Sequence, residues 1–320
     1  MALKHTFVSA IADGADATLV RPSNWNADHS IDLDGLVIPV DTVDPLPGAQ
    51  TGSNVRLYNS AKNVINQPAS VSSKEFAYAL QNFTGEKHVA VYRPASGVAT
   101  APGISGFSMT TVGTATARLA ANTSTATLMK RIGYVSSATA GSLASVKHLS
   151  PLCRTGDGSS PLLGFLMVNR FVISDAATVT GARMAVGLTS SIVAATNVEP
   201  STLTNGCVMA QLSTDATQLY VCFGGTTAQT PVALGATNFP VSTTIPYEFT
   251  CYSSPIDIGV INWQAKNLAN GATVTGTTGS NAVTSPASVN LLSNYMWRTN
   301  NATALAVGLD VGLIYLETPF

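Results

Sequence analysis

Thr303-Ala-Leu-Ala-Val-Gly-Leu-Asp-Val-Gly-Leu-Ile-Tyr-Leu-Glu-Thr-Pro-Phe320 closes the chain. Its large apolar residues Leu305, Val307, Leu309, Val311 and Leu313 fall on alternate positions. Alternation with period two puts them on one face of a β-strand, and that face needs a cover. Ala304, Ala306, Gly308, Asp310 and Gly312 line the other face, thin enough for another backbone to approach, until Ile314 and Leu316 make both faces apolar. A strand apolar on both sides is a central strand or part of a subunit contact. A chain that ends on such a strand is expected to close its sheet with its C-terminus.

Working outward, strand candidates separated by turn residues recur at 106–112, 127–135, 163–173, 182–188, 207–212, 218–223, 247–252, 256–263, 272–277 and 304–317. Short strands with almost no helical period, enriched in Thr and Val, indicate a mainly β fold: an antiparallel β-sandwich, jelly-roll-like, over residues 101–320. Residues 36–100 read as a linker or neck, repeatedly broken by Pro and Gly. It contains strand-like segments at 55–59 and 88–92 and one good helix at 72–81. Ser72 caps that helix, Glu75 completes a capping box, and Phe76 and Leu80 share a face. Such a helix either packs around a threefold axis or covers a sheet edge. Residues 1–35 show no steady period and form a small irregular region held by aromatic anchors.

The chain has 320 residues, a formal net charge of -1, 10% charged residues and a mean hydropathy of +0.24. An ordinary soluble domain carries about 25% charged residues. So few charges leave Ser, Thr, Asn and Gly to solvate the surface, or bury much of it between subunits, and an oligomer follows. The near-zero net charge provides no field for nucleic acid or an anionic membrane. The sequence has neither an apolar run of spanning length nor a signal-peptide pattern, so the protein is expected to stay where it is made, without membrane insertion. Cys153, Cys207, Cys222 and Cys251 form no metal-ligand spacing and read as reduced core residues. Fragments of a calcium loop at 13–16 and 32–35 lack the full ligand set. No metal and no cofactor is expected.

Two stretches carry a resemblance. Ala12-Asp-Gly-Ala-Asp followed by Leu19-Val-Arg-Pro-Ser-Asn-Trp-Asn-Ala-Asp-His29 resembles the N-terminal segment of tailed-bacteriophage tail-fibre and minor tail proteins. The resemblance implies attachment to the virion through Arg21, Pro22, Trp25, Asn26 and His29, with other tail proteins as partners. Read without it, Trp25 and His29 could share one helical turn capped by Ser23. Residues 174–188, 196–205, 297–301 and 314–318 are similar to a distal β-rich domain of phage fibre proteins, although Pro319-Phe320 departs from the family's usual ending. The family implies a homotrimer, located in the virion tail after assembly in the host cytoplasm, that presents this domain to a host-surface carbohydrate or protein.

Chemistry leaves less trace. Glycoside hydrolysis needs two carboxyl groups about 5 to 9.5 Å apart, and the large domain offers only isolated ones: Asp157, Asp175, Glu199, Asp215, Glu248, Asp257, Asp310 and Glu317. His88 and His148 have no nucleophile-elbow serine. A binding protein, not an enzyme, is expected. A polysaccharide-degrading tailspike and a head fibre or capsid decoration protein are the alternatives. Sugar rings stack on aromatics, and their hydroxyls need amide or charged partners. Trp263, and a loop-like cluster of Tyr295, Trp297, Arg298 and Asn300 before the last strand, are the candidate contacts. Against this, Trp297 could plug the sandwich and Arg298 pair with a buried carboxylate. Arg170 and Arg183 read as partners of Asp175 or Asp310.

Overall fold

The computed structural model describes residues 2–3, 29–30, 88–99, 109–149, 151–160, 163–196 and 198–318. The chain divides into two units, Met1–Lys74 and Glu75–Phe320. In the first, β1 (Ala2–Leu3) pairs antiparallel with β2 (His29–Ser30). Arg21, Pro22, Trp25, Asn26, the 55–59 strand and the 72–81 helix lie outside the described residues.

The second unit is a β-sandwich of two antiparallel sheets. One runs β12 (Val232–Ala233), β11 (Tyr220–Gly224), β10 (Gly206–Gln211), β9 (Arg183–Thr189), β16 (Ser293–Thr299), β7 (Leu143–His148), β4 (Met109–Val112). The other runs β15 (Thr273–Thr277), β14 (Asn262–Asn267), β13 (Tyr247–Ser253), β8 (Phe165–Ile173), β17 (Gly308–Thr318), β6 (Arg131–Val135), β5 (Thr114–Arg118), and β3 (His88–Tyr92) also pairs with β17. The strand at 88–92, expected in the neck, thus belongs to the sandwich.

β17 is central. β8 lies along one edge, and β6 and then β3 along the other. Strict alternation fails at one point. The pairing with β8 slips between Val311 and Leu313, a β-bulge that leaves Gly312 unpaired. Leu309 and Val311 point into the core before the bulge, and Ile314 and Leu316 after it. Leu313, expected on the same face as Leu309, is turned outward beside Arg170. A Cβ at Gly312 would lie 2.4 Å from the Met129 sulfur, so the thin face accommodates a side chain of this same chain.

Phe165, Met167, Phe171, Met184, Val186, Met209, Phe249 and Met296 interdigitate between the sheets. Two polar side chains are embedded among them. Asn169 on β8 and Asn294 on β16 exchange a reciprocal pair of amide hydrogen bonds, each 2.9 Å, across the intersheet space. Both are fully buried, so each satisfies the other.

The expected strand at 127–135 begins instead as α1 (Thr125–Leu128). Ser124 and Thr127 form a capping box, the Thr127 amide donating to Ser124 Oγ at 3.2 Å and the Ser124 amide to Thr127 Oγ1 at 2.9 Å. These local bonds satisfy the first-turn amides more cheaply than a ladder could. The expected strand at 256–263 is a loop up to Asn262, because Pro255 and Gly259 interrupt it.

Replacing Asn169 by Leu alone leaves Asn294 buried without its partner and should cost about 1–3 kcal/mol of unfolding free energy. The double replacement with Asn294→Leu should recover most of that loss in a urea-denaturation double-mutant cycle. His148, at the end of β7 and buried, has its pKa pushed down to about 4 by desolvation. It is therefore neutral in the fold, whereas the unfolded chain takes up a proton below its ordinary value of 6.5. Stability is full above that pH and falls as pH drops towards 4, by about 3 kcal/mol in total. His148→Phe should flatten the slope in pH-dependent thermal melts.

Candidate functional site

The residues read as a loop-like cluster form β16, an interior strand between β9 and β7. Alternation along it sends Tyr295 and Trp297 to the outer side of the seven-stranded sheet, and Asn294, Met296 and Arg298 to the inner side. The outer side is covered by residues 190–205. Tyr295 and Trp297 pack there with Ala195, Val208, Leu212 and Leu203. Tyr295 Oη accepts the Ala195 amide at 3.3 Å, Thr299 Oγ1 donates to the Thr196 carbonyl at 2.9 Å, and Lys147 lies 5.7 Å from the Tyr295 ring centre.

Arg298 sits between the sheets at one end of the sandwich. Its Nε donates to Asp175 Oδ1 at 2.8 Å and its Nη1 to Gln211 Oε1 at 2.7 Å, and its Nη2 also reaches Asp175. Asp175 Oδ1 additionally accepts the Gly308 amide at 2.8 Å, linking the ion pair to the start of β17. Asn300 ties the connections 136–142 and 300–307 together. It accepts the Ser142 amide at 3.0 Å and donates to the carbonyls of Thr139 and Leu305 at 2.8 and 2.7 Å. Trp263 lies in the core against Gly276, where a Cβ would stand 2.3 Å from the indole.

Trp263, Tyr295, Trp297, Arg298 and Asn300 are each 5% exposed or less. As folded, they hold the sandwich together and present no face to a ligand. The correction has a simple cause: a strand buried on both faces carries aromatics and polar groups at every position, and locally this resembles a decorated loop.

The expected ion pairs are also redistributed. Arg170 pairs with Glu248 at 2.6 Å and Arg183 with Glu199 at 2.7 Å, not with Asp175 or Asp310. Asp310 is held by Arg131 at 2.8 Å and Arg118 at 3.1 Å. Glu199 further accepts from Ser213, and Asp157 caps the amides of Ser159 and Ser160. Asp215 accepts from Thr217, Gln218 and Tyr220, and these bonds hold its carboxyl well below the ordinary carboxylate range. These carboxylates serve as counter-ions and turn caps. Among the described residues no group of three metal-ligating side chains gathers, and the four cysteines are free and buried.

Strand registers define two ends. The start of β3 faces the end of β17 (His88↔Thr318), and β8, β10 and β16 also begin at this end, where β7, β9, β11 and β13 finish. The opposite end gathers the connections 136–142, 174–182, 212–219, 234–246, 268–272 and 300–307. They are knitted together by Asn300 and by Thr303 Oγ1 donating to the Thr180 carbonyl at 2.8 Å, and the β5–β6 connection 119–130, which starts midway along β17, reaches them through the Ala126 amide donating to the Thr244 carbonyl at 3.1 Å. Their exposed residues are mostly Ser, Thr, Ala, Asn and Gly. This surface, farthest along the strands from His88, was not singled out by the sequence. The signal it offered was the turn glycines Gly141 and Gly181, both at positive φ.

Truncating Trp297 to Ala should destabilise the domain by about 3–5 kcal/mol, because a buried aromatic leaves a cavity. Chemical denaturation measures this. A Trp297→Ala protein as stable as the parent would return Trp297 to the list of surface contacts.

No protein-family model matches the sequence, and no curated protein matches it. Among solved structures the chain is similar to a protein of unknown function from Shewanella oneidensis MR-1. That pair shares 15% identity over 79% of this chain and 95% of the other, with a TM-score of 0.46. Peanut lectin in complex with a nine-residue peptide shares 11% identity over 73% of this chain and 98% of the lectin, TM-score 0.46. The CBM2 module of the evolved Dit of Lactobacillus casei BL23 phage J-1 shares 13% identity over 75% of this chain and 92% of that module, TM-score 0.38. At these identities and TM-scores no residue correspondence is drawn, and the sandwich is defined by its own strand registers.

Proposed function

We propose that the chain is a virion protein of the tail-fibre, receptor-binding type. In this reading residues 1–35 attach it to the tail, residues 36–87 lead to the sandwich, and the sandwich meets a carbohydrate or protein of the host surface as a homotrimer. Three observations support the reading. Residues 12–29 carry the resemblance to phage attachment segments. The carboxylates Asp175, Glu199, Glu248 and Asp310 are engaged with arginines, which favours a binding protein over a hydrolase. The observation that carries most is directional: the sandwich is entered at His88 at one end, while the knitted connections 136–142, 174–182 and 300–307 stand at the other. In this reading the far end is the surface offered to the host.

The receptor contact accordingly moves from the buried aromatics to these connections. Thr139, Thr178 and Ala304 are exposed on them, and charged substitutions there should leave the fold intact. Thr139→Glu, Thr178→Glu and Ala304→Arg, combined in the full-length protein, should lower adsorption to host cells by about tenfold or more. The melting temperature should not move. Unchanged adsorption would remove this surface from the reading. Release of reducing sugar from host polysaccharide would replace the binding protein by a tailspike, and labelled protein found on the head would make it a decoration protein.

A further inference from the structure

The outer side of the eight-stranded sheet carries an apolar patch. Ala90, Tyr92, Phe165, Met167, Ile314 and Leu316 point into the core, so their neighbours Val89, Val91, Leu166, Val168, Leu313 and Tyr315 point out. The registers place these side by side. Tyr315 stands opposite Val91 on one edge of β17 and Val168 on the other, and Glu317 stands opposite Val89 and Leu166. β13 extends the same rows, with Thr250 beside Val168 and Tyr252 beside Leu166. Directly opposite residues on one face bring their Cβ atoms to about 5 Å, so these side chains form one continuous surface over β3, β17, β8 and β13. Arg170, paired with Glu248 at 2.6 Å, bounds it on one side, and Glu317, accepting from Tyr315 Oη at 2.8 Å, on the other. Val89 and Val91 are 45 and 38% exposed, whereas Thr250, Tyr252 and Glu317 are only 8, 6 and 5% exposed although they face away from the core. An antiparallel sheet whose outer face meets water leaves such side chains open, so burial of this depth requires a covering element.

We propose that residues 75–83 of the same chain dock on this patch as an amphipathic helix. The compact unit that contains the sandwich begins at Glu75, ahead of β3, and so includes residues 75–87, which lie outside the described residues. Phe76, Ala79, Leu80 and Phe83 recur at the spacing of one helix face, with Tyr78, Gln81 and Asn82 off it. An isolated helix of about three turns is marginal in water and needs an apolar surface to pack on. Connectivity brings one within reach. The chain from Phe83 to His88 spans up to about 17 Å when extended, while β3 to β8 is two strand spacings, about 10 Å. The helix therefore has enough chain to turn back at Gly85 and lie across β17 and β8 of its own sandwich. A tether this short gives an effective concentration on the order of millimolar, which any free partner has to overcome. The contact does not depend on what the far connections bind.

Thiol labelling of the full-length protein tests it. Val168→Cys lies at the centre of the patch, and Thr275→Cys is exposed on β15 in the same row. The four native cysteines are buried and slow to react. Phe76→Asp with Leu80→Asp should raise the maleimide-labelling rate of Val168→Cys by about tenfold or more, because the covering helix is released. The rate of Thr275→Cys should not change, and Tyr78→Asp, on the opposite helix face, should leave Val168→Cys slow. A second readout joins Leu80→Cys to Val168→Cys with a short bis-maleimide in a mixture of isotopically light and heavy protein. The link should form within one chain, and it decides alone if the aspartate pair fails to fold. A Val168→Cys rate that ignores the aspartate pair overturns the proposal and assigns the cover to another segment or a partner. Absence of the cross-link overturns it as well. So does a link that joins light to heavy chains, because the segment then docks on a second copy.

Discussion

A carboxylate buried on the outward face of the central strand constrains much of what surrounds it. Asp310 points away from the intersheet core, yet it is 1% exposed. A buried charge without a partner is expensive, and removing one member of such a pair typically costs about 3–5 kcal/mol. Arg131 and Arg118, brought opposite each other by the β5–β6 register, supply the compensation. Arg131 in turn donates to the Ala126 carbonyl at 2.9 Å, which fixes the α1 turn over the sheet, and Met129 fills the space at Gly312. One ionised group thus organises the outer cover of β17, while Leu309, Val311, Ile314 and Leu316 form its inner side.

The same logic operates between the sheets. Arg298, Asp175 and Gln211 close the far end of the core with charge-assisted bonds, and the Asn169–Asn294 pair locks one relative placement of the two sheets. Because Asp175 also receives the Gly308 amide, and Asn300 joins the connections 136–142 and 300–307, the far surface is built on a braced base. Its loops present hydroxyls, amides and small side chains, a composition suited to hydrogen-bonded recognition of an uncharged surface.

What was legible in the sequence follows from what a one-dimensional pattern records. Alternation and turn spacing located β8, β9, β10, β13 and β17 within a few residues and indicated a sandwich. β16 was invisible as a strand, since Tyr295 and Trp297 on one side and Met296 and Arg298 on the other leave no polar face to alternate with. β7 failed for a related reason: Lys147 and His148 interrupt an apolar run whose burial comes from neighbours distant in sequence. The bulge at Gly312 was equally hidden, because whether a glycine is paired or extruded depends on what approaches it, here Met129.

By itself, the sequence determined the all-β class, the central character of the final strand and the burial of the cysteines, and it left the pairing of Arg298 with a buried carboxylate open beside a ligand contact. What it determined follows from hydrophobicity or spacing, which are properties a residue carries with it. The tertiary structure alone decided which carboxylate each arginine meets, that the candidate aromatics lie inside, and which loops share an end. Those outcomes depend on strand register and chain direction. Each register brings together residues tens to hundreds of positions apart, so no local pattern could specify them.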